Sequence, residues 1–118
     1  MRQFERTEIL MGYPIKVLAI CLSTGIHVGI YGGELPHIGA VSIVDPEGNC
    51  TTTQFPAHKD GVISTRWAEA LSNQGYRPVV IEAGIHYDNL SRDGIDNVVK
   101  LTDTLLAEVL EWLADEKQ

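Results

Sequence analysis

Three short segments set histidine beside glycine or acid, and their side chains are the ones best suited to chemistry. They are Pro36-His37-Ile38-Gly39-Ala40-Val41, Ala57-His58-Lys59-Asp60-Gly61 and Ala83-Gly84-Ile85-His86-Tyr87-Asp88-Asn89. His58-Lys59-Asp60 directly precedes a helical pattern. The first amides of a helix are unpaired and carry the positive end of its dipole, so a neighbouring Lys and His make a phosphate or carboxylate site. The plainer reading is that Asp60 caps the helix and the other two are solvated. The third segment closes an apolar run with glycine and then supplies imidazole, phenol, carboxylate and amide, as a ligand-orienting loop requires. Its plainer reading is a turn in which Asp88 or Asn89 caps the last helix. His37 lies near Gly32-Gly33 and Gly39, which leave room for close approach to the sheet. His27, between Val28 and Ile26, reads as a solvated strand residue.

Other chemistries find less support. His37, His58 and His86 with Asp88 could form a histidine or histidine-carboxylate metal set, but no HxH or HxxxH spacing supports one. Ser42, Ser64 and Ser91 lack a nucleophile elbow, and neither Cys21 nor Cys50 has a neighbouring base. Gly25, Gly29, Gly32 and Gly33 match neither a P-loop nor GxGxxG. The residues themselves therefore point to a small anionic-ligand pocket rather than to a named reaction.

These segments need elements to position them. Arg2–Leu10 alternates loosely and Gly12-Tyr13-Pro14 reads as a turn before the apolar strand Ile15–Leu22. Ile26, Val28 and Ile30 alternate with His27, Gly29 and Tyr31, the period of a half-buried strand, which Gly32-Gly33 should break. Ile38–Val44 and Cys50–Phe55 flank the turn Asp45-Pro46-Glu47-Gly48-Asn49 and should pair as a hairpin. The period then changes. Val62, Ile63, Trp67, Ala70 and Leu71 mark one helix over Asp60–Gln74, with Gly75 as its C-terminal cap. Val79–Ile85 reads as a strand buried on both faces. Ile95, Val98, Val99, Thr102, Leu105, Leu106, Val109, Leu110 and Leu113 mark a final helix of roughly six turns. The order βββββαβα predicts an α+β fold, a largely antiparallel sheet of five to six strands with two helices on one face.

Composition bounds the function. The chain has 118 residues with 9 Lys+Arg against 16 Asp+Glu, a net charge of −7, and 44% hydrophobic residues. At about 100–150 residues per domain it is one domain, 1–118, with an ordinary globular core. A net charge of −7 argues against nucleic acid or an anionic membrane as partner. Two isolated cysteines and a charged start, Met1-Arg2-Gln3-Phe4-Glu5-Arg6, fit a reduced cytoplasmic protein. The uncharged stretch Val17–Gly33 holds Ser23, Thr24, His27 and glycines, and fails as a membrane helix. A small domain with a leucine-rich last helix and an exposed sheet edge is expected to complete itself as a homodimer.

Together, "GGELPHIGAVSIV", "AHKDGVISTRWAEAL" and "VVIEAGIHYDNLSRDGIDNVV" resemble the LpdD-like proteins, small D subunits associated with gallate and other hydroxyarylic-acid decarboxylases. The resemblance spans Ile26 to Leu106. It implies a proteasome-assembly-chaperone-like fold and a dimer. It also implies a non-enzymatic chaperone that binds prenylated FMN, or FMN, and delivers or matures it for a UbiD-like decarboxylase, with a flavin prenyltransferase as source. Carried over by motif, His37 and Gly39 become cofactor contacts, and His58 and Lys59 meet the phosphate. His86, Asp88 and Asn89 would hold the cofactor or a divalent metal bridging its phosphate, and Tyr31 and Tyr87 are the stacking candidates. The alternatives are a small metal-dependent enzyme built on His37, His58 and His86, or a structural accessory subunit of a decarboxylase.

Overall fold

The computed structural model describes residues 1–56 and 59–116. Alternating apolar residues build the sheet from its first hairpin. β1 (Arg2–Leu10) pairs antiparallel with β2 (Tyr13–Cys21), Leu10 opposite Tyr13. The joining residues are Met11 and Gly12, both at positive φ (51° and 84°), the two-residue connection whose twist suits paired strands. The turn therefore starts one residue earlier than Gly12-Tyr13-Pro14 and shares only Gly12 with it, since Tyr13 and Pro14 already belong to β2. In β2, Ile15, Val17 and Ala19 are fully buried while Lys16, Leu18 and Ile20 face the other way.

β3 (Ile26–Gly33) pairs antiparallel with β2 and runs through the expected break to end on Gly33. Gly32 and Gly33 stay in the strand because they let neighbours approach closely. A Cβ on Gly32 would stand 2.6 Å from the Pro14 carbonyl, and one on Gly33 2.1 Å from that of His86. β4 (Ala40–Val44) and β5 (Cys50–Gln54) form the expected hairpin. The Asp45 carboxylate closes its turn by accepting from the Glu47 and Asn49 amides at 2.9 and 3.0 Å.

α1 (Gly61–Asn73) buries Ser64, Trp67, Ala68, Leu71 and Ser72, and Gly75 ends it at φ +93° with its amide bonded to the Ser72 carbonyl. β6 (Val79–His86) then enters the middle of the sheet, parallel to β3 and antiparallel to β4, completing the order β1-β2-β3-β6-β4-β5. α2 (Arg92–Glu116) has 25 residues, about seven turns rather than six. The sheet face toward the helices and the helices' apolar sides form one core, including Ile15, Val17, Val28, Ile30, Trp67, Leu71, Ile81, Leu105 and Val109. Each fully buried aliphatic side chain there is worth about 1.5–3 kcal/mol over exposure. Among the described residues no helix lies on the opposite sheet face, so Val80 and Glu82 of β6 are only half-buried and the strand is not covered on both sides. Arg66 clasps Asp103 through Nε and an Nη at 2.6 and 3.1 Å, joining α1 to α2, and Arg6 of β1 pairs with Glu108 of α2. Among the described residues, no helix is long and apolar enough to cross a membrane.

Candidate functional site

Three separate segments converge on the C-terminal end of β6. The Gly39 amide donates to the Ala83 carbonyl at 2.9 Å, carrying the β4–β6 pairing one step past Ala40. The chain before Gly39 then lies flat over Gly84. A Cβ there would sit 1.6 Å from the His37 carbonyl oxygen, so this crossing needs glycine. Farther along, the Glu34 amide donates to the His86 carbonyl at 2.7 Å, and the Glu34 carboxylate accepts from the Asp88 amide at 2.6 Å.

Asp60, immediately before α1, ties the segments together. Its Oδ1 accepts from the Ile85 amide at 3.0 Å, and its Oδ2 stands 3.1 Å from His37 Nε2. The Asp60 side chain is 7% exposed and makes no capping bond to its own helix. The Gly61 amide is taken instead by Gln54 Oε1 at 2.9 Å. His37 Nδ1 lies 2.8 Å from the Leu35 carbonyl, so both ring nitrogens face acceptors. These two contacts hold the ring between the Leu35 carbonyl and the Asp60 carboxylate. Gly39 completes this contact, because a Cβ there would be 2.0 Å from Asp60 Oδ2. The His86 ring stands edge-on to His37 with centroids 6.5 Å apart, and its Nε2 lies 2.8 Å from Asp88 Oδ1.

Beside Asp60 opens a groove of about 460 Å³, walled mainly by Ile63, Ile85, Tyr87, Leu90, Val98 and Val99. Exposed Val62 and Ile95 continue it outward, and Lys59 stands at its polar end. Val62 and Ile63, which line it, belong to the first turn of α1, where helix amides lack intrahelical partners.

The expected residues are placed differently from one another. His37, Gly39, Lys59, His86 and Asp88 gather at this end of the sheet. Asn89 follows them at φ +53°, exposed, in the turn before α2, and Ser91 rather than Asp88 or Asn89 caps that helix, its Oγ accepting from the Gly94 amide at 3.0 Å. His58 lies outside the described residues. The two tyrosines behave differently from each other. Tyr87 is 8% exposed, lines the groove, donates to the Leu10 carbonyl at 2.7 Å and meets the Tyr13 ring edge-on. Tyr31 leans back over Gly29 on the uncovered sheet face and donates to Glu82 Oε1 at 2.6 Å. His27 Nε2 approaches the same oxygen at 3.5 Å. Burial, then the bond and charge of Glu82, push the Tyr31 phenol far above its ordinary range. Burial, then the Glu34 charge, push up that of Tyr87.

The metal-set expectation is not supported. Among the described residues, no group of three His, Cys, Asp or Glu side chains is arranged to hold an ion. His37 and His86 are each directed at a separate carboxylate instead of at a shared point. Sequence reasoning missed Glu34, Glu82 and the apolar walls of the groove, and the cap offered as the plainer reading of Asp60 is not made. An acid before a helix looks the same whether it bonds its own first turn or a strand 25 residues away.

The profile of the prenylated flavin chaperone LpdD-like domain matches residues 10–114 of this chain. Protein LpdD of Lactiplantibacillus plantarum is 28% identical over 107 residues, a span covering 86% of this chain and 79% of that protein.

Proposed function

The chain belongs to the LpdD-like prenylated-flavin chaperone family, a family of chaperones rather than of enzymes, and from that premise we propose that it binds prenylated FMN and passes it to, or matures it on, a UbiD-like decarboxylase. A flavin prenyltransferase is the source of the cofactor in this reading. The observation that carries it is the apolar groove beside the Asp60–His37–Ile85 tie, which ends at Lys59. Its volume of about 460 Å³ lies within the range of about 300–1,000 Å³ usual for small-molecule sites.

The residues present suit a flavin nucleotide. Lys59, beside the start of α1, offers a local anion site for the phosphate, despite a net charge of −7. The groove wall of Ile63, Ile85, Tyr87, Leu90 and Val98 suits the apolar part of the cofactor, with Tyr87 as its aromatic. His86 and Asp88 stand at the same end of β6, and His37 with Gly39 fixes the loop beside them. Of the two stacking candidates, Tyr31 bonds Glu82 on the other sheet face, away from this groove.

Titration of the metal-free protein with prenylated FMN, followed by flavin fluorescence, tests the reading. Saturable binding is expected, weakened about tenfold by Lys59→Ala, the loss of one charge-assisted phosphate contact. His58→Ala and His86→Ala should each weaken it as well. Unchanged affinity in all three variants, or no binding by the unmodified chain, overturns the proposed site.

A further inference from the structure

Hydroxyls of β4, β5 and α1 form a chain that runs from the core to the surface. The Ser64 hydroxyl donates to the Gly61 carbonyl at 3.3 Å, and the Ser42 hydroxyl donates to Ser64 Oγ at 2.7 Å. A hydroxyl has a single hydrogen, so these two bonds order the rest of the chain. Thr52 Oγ1 stands 2.6 Å from Ser42 Oγ, whose hydrogen is already spent, and must donate to it. Thr65 Oγ1 stands 2.6 Å from Thr52 Oγ1 and must donate in turn. Its longer approach to Ser42, 3.5 Å, draws on the same inward hydrogen. Ser42 and Ser64 are fully buried, while Thr52 and Thr65 are the outer pair. That pair lines a groove of about 780 Å³ between β5 and α1. With every hydrogen directed inward, both threonines offer the groove lone pairs only.

Glu69 follows Thr65 by one helical turn in the same wall, the spacing at which helix side chains are neighbours. Among the described residues its carboxylate receives no hydrogen bond and pairs with no cation. Arg66, also in the wall, is held by Asp103 instead. Burial, then the charge of Glu69, push the Cys50 thiol up, so that charge is felt at the β5 side of the groove. The Gln54 carboxamide is bonded at Gly61, about 12 Å along the helix from Glu69.

We propose that this groove binds a primary ammonium group, held between Thr65 Oγ1 and the Glu69 carboxylate, with its alkyl stem along Ala70 and Leu106. An ammonium donates three hydrogens and has no lone pair, the complement of acceptor-only hydroxyls and an unpaired carboxylate. Such charge-assisted bonds are about twice as strong as neutral ones. A net charge of −7 draws cations rather than anions to this surface. The groove volume lies within the range of about 300–1,000 Å³ usual for small-molecule sites. A free alkylamine and a lysine side chain both carry the group. Among the described residues only Val62 also lines the groove proposed for flavin, so the inference does not rest on that reading.

Titration of the full chain with n-butylammonium chloride, followed by NMR of its backbone amides, tests the proposal. Saturable shifts are expected at Thr52, Thr65 and Glu69. Tetramethylammonium has the same charge but no N–H to donate, and should bind about tenfold more weakly or worse. Thr65→Val removes an acceptor and keeps the shape, and Glu69→Gln removes the charge. Each should raise the dissociation constant for butylammonium about tenfold. Ser42→Ala touches no ligand but returns the Thr52 hydrogen to the outer pair, and should narrow the preference for butylammonium over tetramethylammonium. Circular dichroism checks that each variant folds, and the comparison of the two cations needs no variant. Tighter binding of Nα-acetyl-lysine methylamide than of butylammonium assigns the site to a lysine side chain, and the reverse order to a free amine. No saturable response, equal affinity for the two cations, unchanged affinity in Thr65→Val, or a preference untouched by Ser42→Ala overturns the proposal.

Discussion

Asp60 spends its carboxylate on two neighbours remote in sequence, the Ile85 amide and the His37 ring, instead of on the helix it precedes. Removing it leaves a half-buried amide without a partner and frees the loop before β4. Asp60→Ala should cost about 1–3 kcal/mol, the range for stranding a buried donor. Chemical denaturation of the variant measures this. A loss no larger than that of an exposed surface substitution would show that the tie is ornamental to stability. At this scale the sequence was partly legible. Histidine, glycine and acid in three segments did mark the residues that meet at the end of β6. Their pairings were not legible, because a hydrogen bond between positions 37 and 60 depends on how β4 and α1 are stacked. Tyr31 shows the same gap: its neighbours His27 and Gly29 were visible in sequence, while Glu82, 51 positions on, was not.

Among elements, α2 depends on its first turn. Gly94 and Ile95 both bond back to Ser91, through its Oγ at 3.0 Å and its carbonyl at 2.9 Å. Ser91→Ala should therefore lower stability by about 1 kcal/mol. In a domain of this size that corresponds to a fall in melting temperature of about 3–6 °C, readable by calorimetry. An unchanged melting temperature would mean that the turn Asp88–Leu90 holds the helix start without it. Element types followed hydrophobic period closely, from Ile15–Val17–Ala19 in β2 to Trp67–Leu71 in α1. Errors collected at glycines. Gly32 and Gly33 look like breakers in a linear string, yet each is where a neighbouring chain passes too close for a Cβ. The ends of α2 were blurred for another reason: Ile95 and Val99 continue the apolar period but are exposed beside the groove.

For the whole molecule, the two phenols with raised ionisation set an alkaline limit. Tyr31 and Tyr87 stay protonated in the folded chain past the value of about 10 at which unfolded tyrosine ionises. Their contribution is complete below that pH. It declines above it, as the unfolded chain releases protons that the folded one retains. Denaturation midpoints should fall between about pH 9 and pH 11, and Tyr31→Phe should flatten that fall. An equally steep decline in the variant would remove Tyr31 from the explanation. Strand order is the other property that belongs to the whole. Alternation placed five strands and then a sixth, but nothing in Val79–His86 announces which neighbours it takes.

That sixth strand has a consequence for how the molecule comes into being. A ribosome makes β6 last among the strands, and β6 is the seam between β3 on one side and β4 on the other. Until Val79–His86 has emerged, the earlier strands form two patches, β1-β2-β3 and β4-β5, that share no hydrogen bonds across the sheet. The nascent chain therefore waits for its final third before the halves become one body, and the end of the seam that closes last in synthesis is the end where His37, Asp60 and His86 meet.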